Sequence, residues 1–458
     1  MSRVLIICHD LVGPRMAGPA IRFWELARVL ASKVQVTLAV PGGTTIRPDG
    51  FELLPFALGD MEQCSALELT ARTQTDVVVT SGHLVQQLPF LRDLSVPLVA
   101  DAYVPLPVES LAWHGHSDRS RQLAAYRSSW QAAQLIARHA DFLLVASERQ
   151  RDFWLGVLAA CGRLHPDAYS ADSDLRNVVD TVSVGCPAEP PRPGRAMKGV
   201  WPGIGVQSRV ILWGGGLWNW FDPLTLLRAM PHVVARHPDA KLVFTGADHP
   251  DAERVPEMAI AQQARALSNE MGMTGSTVFW GNWVPYAERG AYLLDADVGV
   301  SLHRTGLEPH FAFRTRLLDC IWAGLPTVLT AGDVLGSEFG QRGLGICVPP
   351  HDVDAVARAL IALLDEPDAR QGRSGAFDEL RRKYTWDRAA EPLVQFCLTP
   401  RRDLAKAEST APVQAVSRDD PVTLEAENAH LREIVKGYES GRIMRLMAAL
   451  QRRRRSPK

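Results

Sequence analysis

The sequence predicts an α/β protein with two doubly wound domains that face each other across a cleft, followed by a helical or coiled-coil tail. Apolar runs of strand length alternate with amphipathic segments of helix length twice along the chain, which is typical of parallel sheets covered by helices on both faces. A proline-rich segment, residues 186–194, separates the two series because it can continue neither a helix nor a strand. We therefore expect domains at residues 1–190 and 200–398, a flexible linker at 399–421 and a short helix at 422–458.

The first series begins with the continuous apolar run Val4 to Cys8, as expected for a strand buried on both faces. A turn rich in glycine and proline follows, and then a helix with apolar positions from Ile21 to Leu30. Ser147 and Gln150 have the spacing of a capping box, which predicts the start of another helix. The remaining predicted strands of this half are residues 34–40, 76–80, 97–100 and 142–145.

The second series begins with the strand Arg209 to Trp213, which is followed by three glycines, residues 214–216. Asp222 and Pro223 then provide an N-cap and a proline at the first helical position. The other predicted elements are strands at residues 241–245, 278–281, 298–302 and 327–330, and closing helices at 352–364 and 377–396.

Composition excludes several classes of protein. With 458 residues of which 46% are hydrophobic, the chain can form two or three domains with sizeable cores. A net charge of -1 gives no general attraction for nucleic acid. No stretch approaches the roughly 18 apolar residues of a membrane span, and the first apolar run is too short for a signal peptide. The seven cysteines are scattered without a Cys-x-x-Cys pair, which indicates reduced thiols in the cytoplasm and no structural zinc site.

The segment from Glu308 to Pro326 is the most informative part of the chain. Arg314 and Arg316 open an apolar helix, and Asp319 follows one turn later. Basic groups at a helix N-terminus favour a phosphate-like anion, and a nearby carboxylate can accept hydrogen bonds from a ribose or sugar diol.

This segment resembles the donor-binding helix of the GT-B glycosyltransferases of the retaining family 4 type. In that family a Glu-x7-Glu pattern runs into Glu-Ala-Met-Ala-x-Gly-Leu-Pro, and Asp319 stands in the place of the second Glu. The position eight residues earlier is Phe311, and the nearest acid is Glu308. The resemblance covers roughly residues 1–398 and implies Rossmann-like domains, the first on the acceptor side and the second binding a nucleotide sugar. It also implies leaving-group-assisted front-face attack, with Glu308, Arg314 and Arg316 in the reaction centre.

The diphosphate-binding loop departs from the family pattern. Relatives carry Gly-Arg-x4-Lys-Gly after the first strand of the second domain, whereas here Gly216 and Phe221 occupy the two basic positions after Gly215. In one explanation Arg314 and Arg316, with Arg304, have taken over the phosphates, and the glycine turn lets backbone N–H groups approach them. In the other explanation the cleft no longer binds a nucleotide diphosphate.

The resemblance assigns three further positions. Gly18 lies in the turn that lines the cleft after the first strand, beside Arg22. Asp101 ends a predicted strand where relatives place a residue that contacts the transferred sugar. Trp283 lies where relatives contact the nucleobase, and its ring could stack on a base or sugar. There is no Asp-x-Asp motif in a plausible loop, so we expect no metal and no cofactor apart from the nucleotide sugar.

Each of two features of the C-terminal tail has two interpretations. Its seam, Leu424, Asn428, Leu431, Val435 and Tyr438, predicts either a two-stranded coiled coil that makes a homodimer or a solitary amphipathic helix. The basic end, residues 452–458, either lies against anionic lipid at the inner face of the plasma membrane or is a solvated tail.

The function predicted from these observations is transfer of a hexose or deoxyhexose from a nucleotide-diphosphate sugar to a growing surface glycan, which could be lipid-linked. Two alternatives stay open. The chain could be a non-catalytic nucleotide- or glycan-binding subunit, as the missing basic pair suggests, or an epimerase that acts on the nucleotide sugar itself.

Overall fold

The structure, a computed structural model, describes residues 1–252, 255–366, 368–403, 405–406, 429 and 431–433. Residues 1–409 form one compact unit that contains two sheets, and residues 410–458 form a second unit. The predicted linker and heptad seam lie outside the described residues, apart from the first few linker residues and Leu431. Within the described residues, no helix has the length and hydropathy needed to cross a membrane.

The first sheet has seven parallel strands in the order β3-β2-β1-β4-β5-β6-β7. Its strands are β1 Arg3–Ile7, β2 Gln35–Pro41, β3 Glu52–Phe56, β4 Val77–Ser81, β5 Leu98–Asp101, β6 Phe142–Val145 and β7 Val179–Thr181. Its helices are α1 Gly18–Ala31, α2 Met61–Thr73, α3 Leu84–Gln87, α4 Leu106–Trp113, α5 Arg119–His139, α6 Glu148–Ala160 and α7 Pro166–Ala171.

The second sheet has six parallel strands in the order β10-β9-β8-β11-β12-β13. Its strands are β8 Arg209–Gly214, β9 Ala240–Thr245, β10 Val278–Gly281, β11 Val298–Ser301, β12 Thr327–Thr330 and β13 Gly345–Val348. Its helices are α8 Pro223–Arg236, α9 Ala259–Glu270, α10 Arg289–Asp295, α11 Leu307–Phe311, α12 Thr315–Ala323, α13 Val334–Arg342, α14 Val353–Asp365, α15 Ser374–Lys383, α16 Trp386–Ala389 and α17 Glu391–Leu398.

The strand order reverses at one point in each sheet, between β1 and β4 and between β8 and β11. Ligands of doubly wound sheets bind beyond the carboxyl ends of the strands at such reversal points. The continuous apolar runs of these strands follow from their position. Val4 and Ile6 of β1 pack into one core cluster and Leu5 and Ile7 into another, because helices cover both faces of the sheet.

The two doubly wound sheets confirm the predicted fold class, and every predicted strand is present to within two residues. Three strands were missed, namely β3, β7 and β13. All three lie at the edges of their sheets, where strands are short and less buried and so lack the continuous apolar run of a central strand.

The closing helix predicted at residues 377–396 is wrong as a single element. The structure divides it into α15, α16 and α17, with an extended residue, Thr385, after α15. The cause is a bridge to the interdomain linker. Cys186 N–H donates to the carbonyl of Tyr384 at 2.7 Å, and Trp386 N–H donates to the carbonyl of Cys186 at 3.2 Å. The last helix then returns to the first sheet, where Phe396 stacks on Phe142 with ring centroids 4.8 Å apart.

Candidate functional site

A cleft of about 570 Å³ lies where the carboxyl ends of the strands in the two sheets face each other. Nine of the ten predicted site residues line it, and they come from five separate segments of the chain. These nine are Gly18, Asp101, Gly215, Gly216, Trp283, Glu308, Arg314, Arg316 and Asp319. The tenth, Arg304, is exposed and lies outside the cleft lining, with its Nη1 atom 3.4 Å from Nε2 of His116.

Arg316 is in the first turn of α12, and its guanidinium reaches the loop after β8. Its Nη2 atom donates to the carbonyl of Gly216 at 2.7 Å, and its Cζ lies 4.0 Å from the ring centroid of Phe221 and 4.8 Å from that of Trp213. Gly216 and Phe221 occupy the two positions that are arginine and lysine in the family this segment resembles. The structure therefore places a guanidinium in that loop from a helix that comes about 100 residues later in the chain.

The charge of Arg316 is not balanced by an acid in contact with it. Its Nη1 atom is buried and has no hydrogen-bond partner among the described residues. Burial, followed by the nearby positive charge of Arg314, lowers the pKa of Arg316 to about 9, so the group is still protonated at neutral pH. A buried cationic N–H without an acceptor is costly, and a bound anion would satisfy it.

Arg314, by contrast, forms a bidentate ion pair. It is the N-cap of α12 and donates through Nη1 and Nη2 to the two carboxylate oxygens of Glu308, at 2.9 and 2.6 Å. Both side chains are largely buried. Glu308 is thus held by Arg314 and is not a free carboxylate in the cleft.

Asp319 is one turn beyond Arg316 and accepts from Nε of Arg289 at 3.1 Å. Its side chain is 39% exposed, so it can accept further hydrogen bonds from a ligand in the cleft. Arg289 lies over the rings of Tyr286 and Trp322, with Cζ-to-centroid distances of 3.8 and 4.5 Å. The sequence reading missed Arg289, because only the fold brings its helix against α12.

At the turn after β8, two glycines, Gly215 and Gly246, allow two loops of the backbone to lie close together. Gly215 has φ +84°, and its N–H donates to the carbonyl of Thr245 at 2.8 Å. A Cβ on Gly246, which has φ +98°, would lie 3.2 Å from the backbone of Gly215 and 3.2 Å from the ring of Trp283. Trp283 also donates through Nε1 to the carbonyl of Met16 at 3.4 Å, so its ring joins the two halves of the cleft.

On the other side of the cleft, Asp101 at the end of β5 is held by Arg22 of α1. The two carboxylate oxygens accept from Nε and Nη2 of Arg22 at 2.7 and 2.9 Å, and neither side chain is exposed beyond 1%. Arg22 also donates to the carbonyls of Val182 and Ser183. Arg22 is therefore a fully buried ion-pair partner of Asp101.

Five titratable residues of the first half line the cleft and were not predicted, namely His9, Asp10, His83, Tyr103 and Glu109. The rings of His9 and His83 stack 5.3 Å apart, and neither Nδ1 atom has a hydrogen-bond partner among the described residues. Burial, and then the neighbouring His83, lowers the pKa of His9 to about 3, so it is neutral. His9 follows β1 at the strand-order reversal, and that position was the available sequence signal.

Glu109 of α4 faces the donor helix across the cleft. Burial and the charge of Glu308 raise its pKa to about 7, against the opposing effect of Arg314. The same helix ends at Trp113, whose ring packs against Trp218 and Trp220 of the loop after β8, with centroids 5.1 and 6.1 Å apart. Three tryptophan rings therefore pack together at the loop in which the resembling family carries its basic residues.

Sequence comparison finds similarity to known glycosyltransferases, and the matched family model falls in the second half of the chain. Residues 208–366 match the family model described as glycosyl transferases group 1. A stretch of 161 residues is 27% identical to the phosphatidyl-myo-inositol mannosyltransferase of Mycolicibacterium smegmatis and covers 35% of this chain. The match spans 37% of that enzyme, little more than a third of the length of the curated relative.

Solved structures resemble the chain over a much larger part. Sucrose-phosphate synthase from Thermosynechococcus elongatus matches with a TM-score of 0.61 at 14% identity, over 86% of this chain and 98% of that structure. The Anabaena protein HepE in complex with UDP and glucose matches with a TM-score of 0.60 at 10% identity, over 87% of this chain and 100% of that structure. At these identities the similarity concerns the fold, and it confirms the predicted two-domain class.

Proposed function

Since residues 208–366 form a glycosyl transferases group 1 domain within a GT-B fold, we propose that this protein transfers a sugar from a nucleotide-diphosphate donor to an acceptor hydroxyl. The observation that carries the proposal is the position of Arg316. Its buried and incompletely satisfied guanidinium lines the cleft beside the loop whose own basic residues are missing. A diphosphate there would receive the free N–H of Arg316 and lie against the N-terminus of α12.

We assign binding of the donor's nucleotide to the same helix, α12. Asp319, partly exposed one turn beyond Arg316, would accept hydrogen bonds from a ribose diol. Trp283 lines the cleft and offers an aromatic face for a base or a sugar. The structure of Anabaena HepE in complex with UDP and glucose supports a nucleotide sugar as the donor class.

We propose that transfer retains the anomeric configuration and uses no protein nucleophile. The bond between the anomeric carbon and the diphosphate oxygen breaks, the acceptor oxygen bonds to the same face of that carbon, and the acceptor proton passes to the departing phosphate. Arg316 would stabilise the charge that builds on the diphosphate. Two of the carboxylates that line the cleft, Asp101 and Glu308, each hold an arginine in a bidentate pair, which supports a route without covalent attack by either of them.

Metal independence is part of the same proposal. A guanidinium and a helix N-terminus supply positive charge where the leaving diphosphate would lie, which is the task a divalent ion performs in other phosphate chemistry. The expected donor sugar is a hexose or deoxyhexose.

The acceptor would enter from the first half of the cleft, where the neutral His9–His83 pair and Glu109 offer polar groups to a sugar hydroxyl. A surface glycan that is lipid-linked fits this assignment. The mannosyltransferase that resembles a stretch of 161 residues of this chain is named for a phosphatidyl-myo-inositol substrate, and that name supports a lipid-borne acceptor here. Homodimerisation through residues 424–438 stays a prediction.

The proposed function is tested by measuring turnover together with the anomeric configuration of the product. The full chain would be incubated with UDP, GDP, ADP and dTDP sugars in EDTA, with and without a panel of simple glycoside acceptors, and nucleotide release and product configuration would be read by NMR. We expect release from one nucleotide class, dependent on an acceptor and with the donor's anomeric configuration kept. A changed sugar without acceptor would instead identify an epimerase, and no turnover with any donor would favour the non-catalytic subunit.

A further inference from the structure

Helices α4 and α5 form a surface with an unusual charge distribution. Between Glu109 and Asp141 the chain has one acidic residue, Asp118, and that carboxylate is used to cap α5 by accepting from the N–H of Arg121 at 3.0 Å. The 21 residues of α5 contain four arginines and no acid. No carboxylate on α5 itself therefore offsets its positive charge.

The same helix exposes large apolar side chains. Tyr126 and Trp130 of α5 are 41% and 48% exposed, and Leu111 of the adjoining α4 is 57% exposed. Leu111 and Tyr126 line a groove of about 290 Å³ between the two helices, together with Arg119 and Leu123.

These residues fall on one stripe of α5. Arg119, Leu123, Tyr126 and Trp130 follow the i, i+4, i+7, i+11 spacing of a single helical face. The stripe continues to Ala133 and Ala137, which are buried against the first domain. The second half of the stripe thus packs within the fold, whereas the first half has Arg119 and the exposed rings of Tyr126 and Trp130. A second exposed arginine, Arg127, borders the stripe next to Tyr126.

We propose that this α4–α5 surface docks on an anionic phospholipid bilayer. Tyr and Trp rings settle at the level of the headgroups, where one end of the ring is apolar and the other is wet. Arginines beside an anionic surface strengthen binding by roughly fivefold each, and no acid on α5 opposes them. Charge and aromatic character together favour a lipid surface over an acidic protein, because exposed aromatic rings beside arginines are the combination that binds at anionic headgroups.

The position of the surface gives docking a consequence for the reaction. Helix α4 carries Leu111 on the docking surface and, two residues later, Trp113 in the lining of the cleft. If the proposed function holds, the acceptor half of the cleft is presented at headgroup height, which suits a membrane-borne acceptor. Docking itself does not depend on turnover, so the two proposals fail in different experiments.

The experiment is sedimentation of the full chain with vesicles of phosphatidylcholine alone and with added phosphatidylglycerol. The basic tail could bind the same vesicles, so every measurement is repeated in a background in which Arg452 to Arg455 are replaced by Gln. In that background we expect binding to the anionic vesicles only. Arg119→Gln with Arg127→Gln should weaken it by about 25-fold, in keeping with two arginines, and Tyr126→Ser with Trp130→Ser should weaken it at least tenfold.

Matched controls come from other exposed sites. Tyr169→Ser removes an exposed aromatic of α7, 60% exposed, and Arg228→Gln removes an exposed arginine of α8. Neither should alter vesicle binding, and the thermal unfolding transition should report intact folding in every variant. Equal binding to neutral vesicles, unchanged binding in the α5 variants, or complete loss on neutralising the tail alone would each overturn the proposal.

Discussion

The guanidinium of Arg316 lies 4.0 Å from the ring centroid of Phe221, and it donates a hydrogen bond to the carbonyl of Gly216 five residues earlier. Phe221 and Gly216 hold the positions at which the related loop carries its lysine and arginine. The aromatic ring thus packs against a cation that comes from α12. Under the proposed function, this arginine supplies the positive charge that the loop itself lacks.

The pairing of Asp101 with Arg22 predicts a structural role for that carboxylate. Removing one partner of a fully buried pair leaves an uncompensated charge, so Asp101→Ala should lower the free energy of unfolding by about 3–5 kcal/mol. Urea unfolding would measure the loss. The control is Asp239→Ala, which removes an exposed partner of Arg209 and should cost under about 1 kcal/mol. Equal effects of the two variants would show that the buried pair contributes no more than a surface pair.

Asp319 should distinguish a nucleotide from its phosphates. If its carboxylate binds the ribose diol, Asp319→Ala weakens binding of the cognate nucleoside diphosphate by about tenfold or more and leaves inorganic pyrophosphate unchanged, because the charge-assisted hydrogen bonds to the diol are lost. Calorimetric titration of both ligands would measure this.

The matched control for that prediction is Asp365→Ala. Asp365 is also 39% exposed and also contacts an arginine, Arg236, but it ends α14 outside the cleft lining. It should affect neither ligand. A parallel loss of nucleotide and pyrophosphate affinity in the Asp319 variant would mean that Asp319 acts by holding Arg289, not by binding ribose.

Glu109 predicts a pH-dependent contribution to stability. Burial and the charge of Glu308 raise its pKa to about 7 from an ordinary 4.5, so the folded state keeps a proton that the unfolded state has lost. Between those pH values the carboxyl therefore destabilises the folded protein as the pH rises, and the effect is complete above pH 7.

The glutamine variant removes that dependence. Relative to the wild type, Glu109→Gln should gain roughly 3 kcal/mol of stability between pH 4.5 and pH 7, measured by urea unfolding across that range. Glu270→Gln, an exposed change on α9, should follow the wild type. A constant difference between Glu109→Gln and the wild type would show that Glu109 titrates normally in the folded protein.

The sequence predicted the central strands and the donor helix because their signals are local. An uninterrupted apolar run predicts a strand buried on both faces, and the Gly324 that ends α12 adopts the left-handed conformation that glycine favours, with φ +62°. The three edge strands and the break at Thr385 were missed for the opposite reason. Edge strands lack that run, and the break depends on a bridge to Cys186, some 200 residues away in the chain.

Site residues that belong to a local sequence motif were predicted. Those that only tertiary packing brings into the cleft were missed. Nine predicted residues meet in the cleft, but Arg289 and Glu109, which lie with them there, have no local signal, because each is positioned by packing between distant segments. Arg304 shows the converse error. Its sequence neighbourhood placed it near the phosphates, whereas the structure leaves it exposed beside His116.

The central claim is that Arg316 provides the phosphate site that the glycine loop lacks. The most direct measurement is calorimetric titration of UDP, GDP, ADP and dTDP, in EDTA, into the wild type, Arg316→Ala, Arg316→Lys and the exposed control Arg304→Ala. We predict that one nucleotide binds the wild type and Arg304→Ala equally, that Arg316→Ala loses roughly 10- to 100-fold in affinity, and that Arg316→Lys falls between them. Undiminished binding by a folded Arg316→Ala variant, or no binding of any nucleotide to the wild type, would contradict the claim.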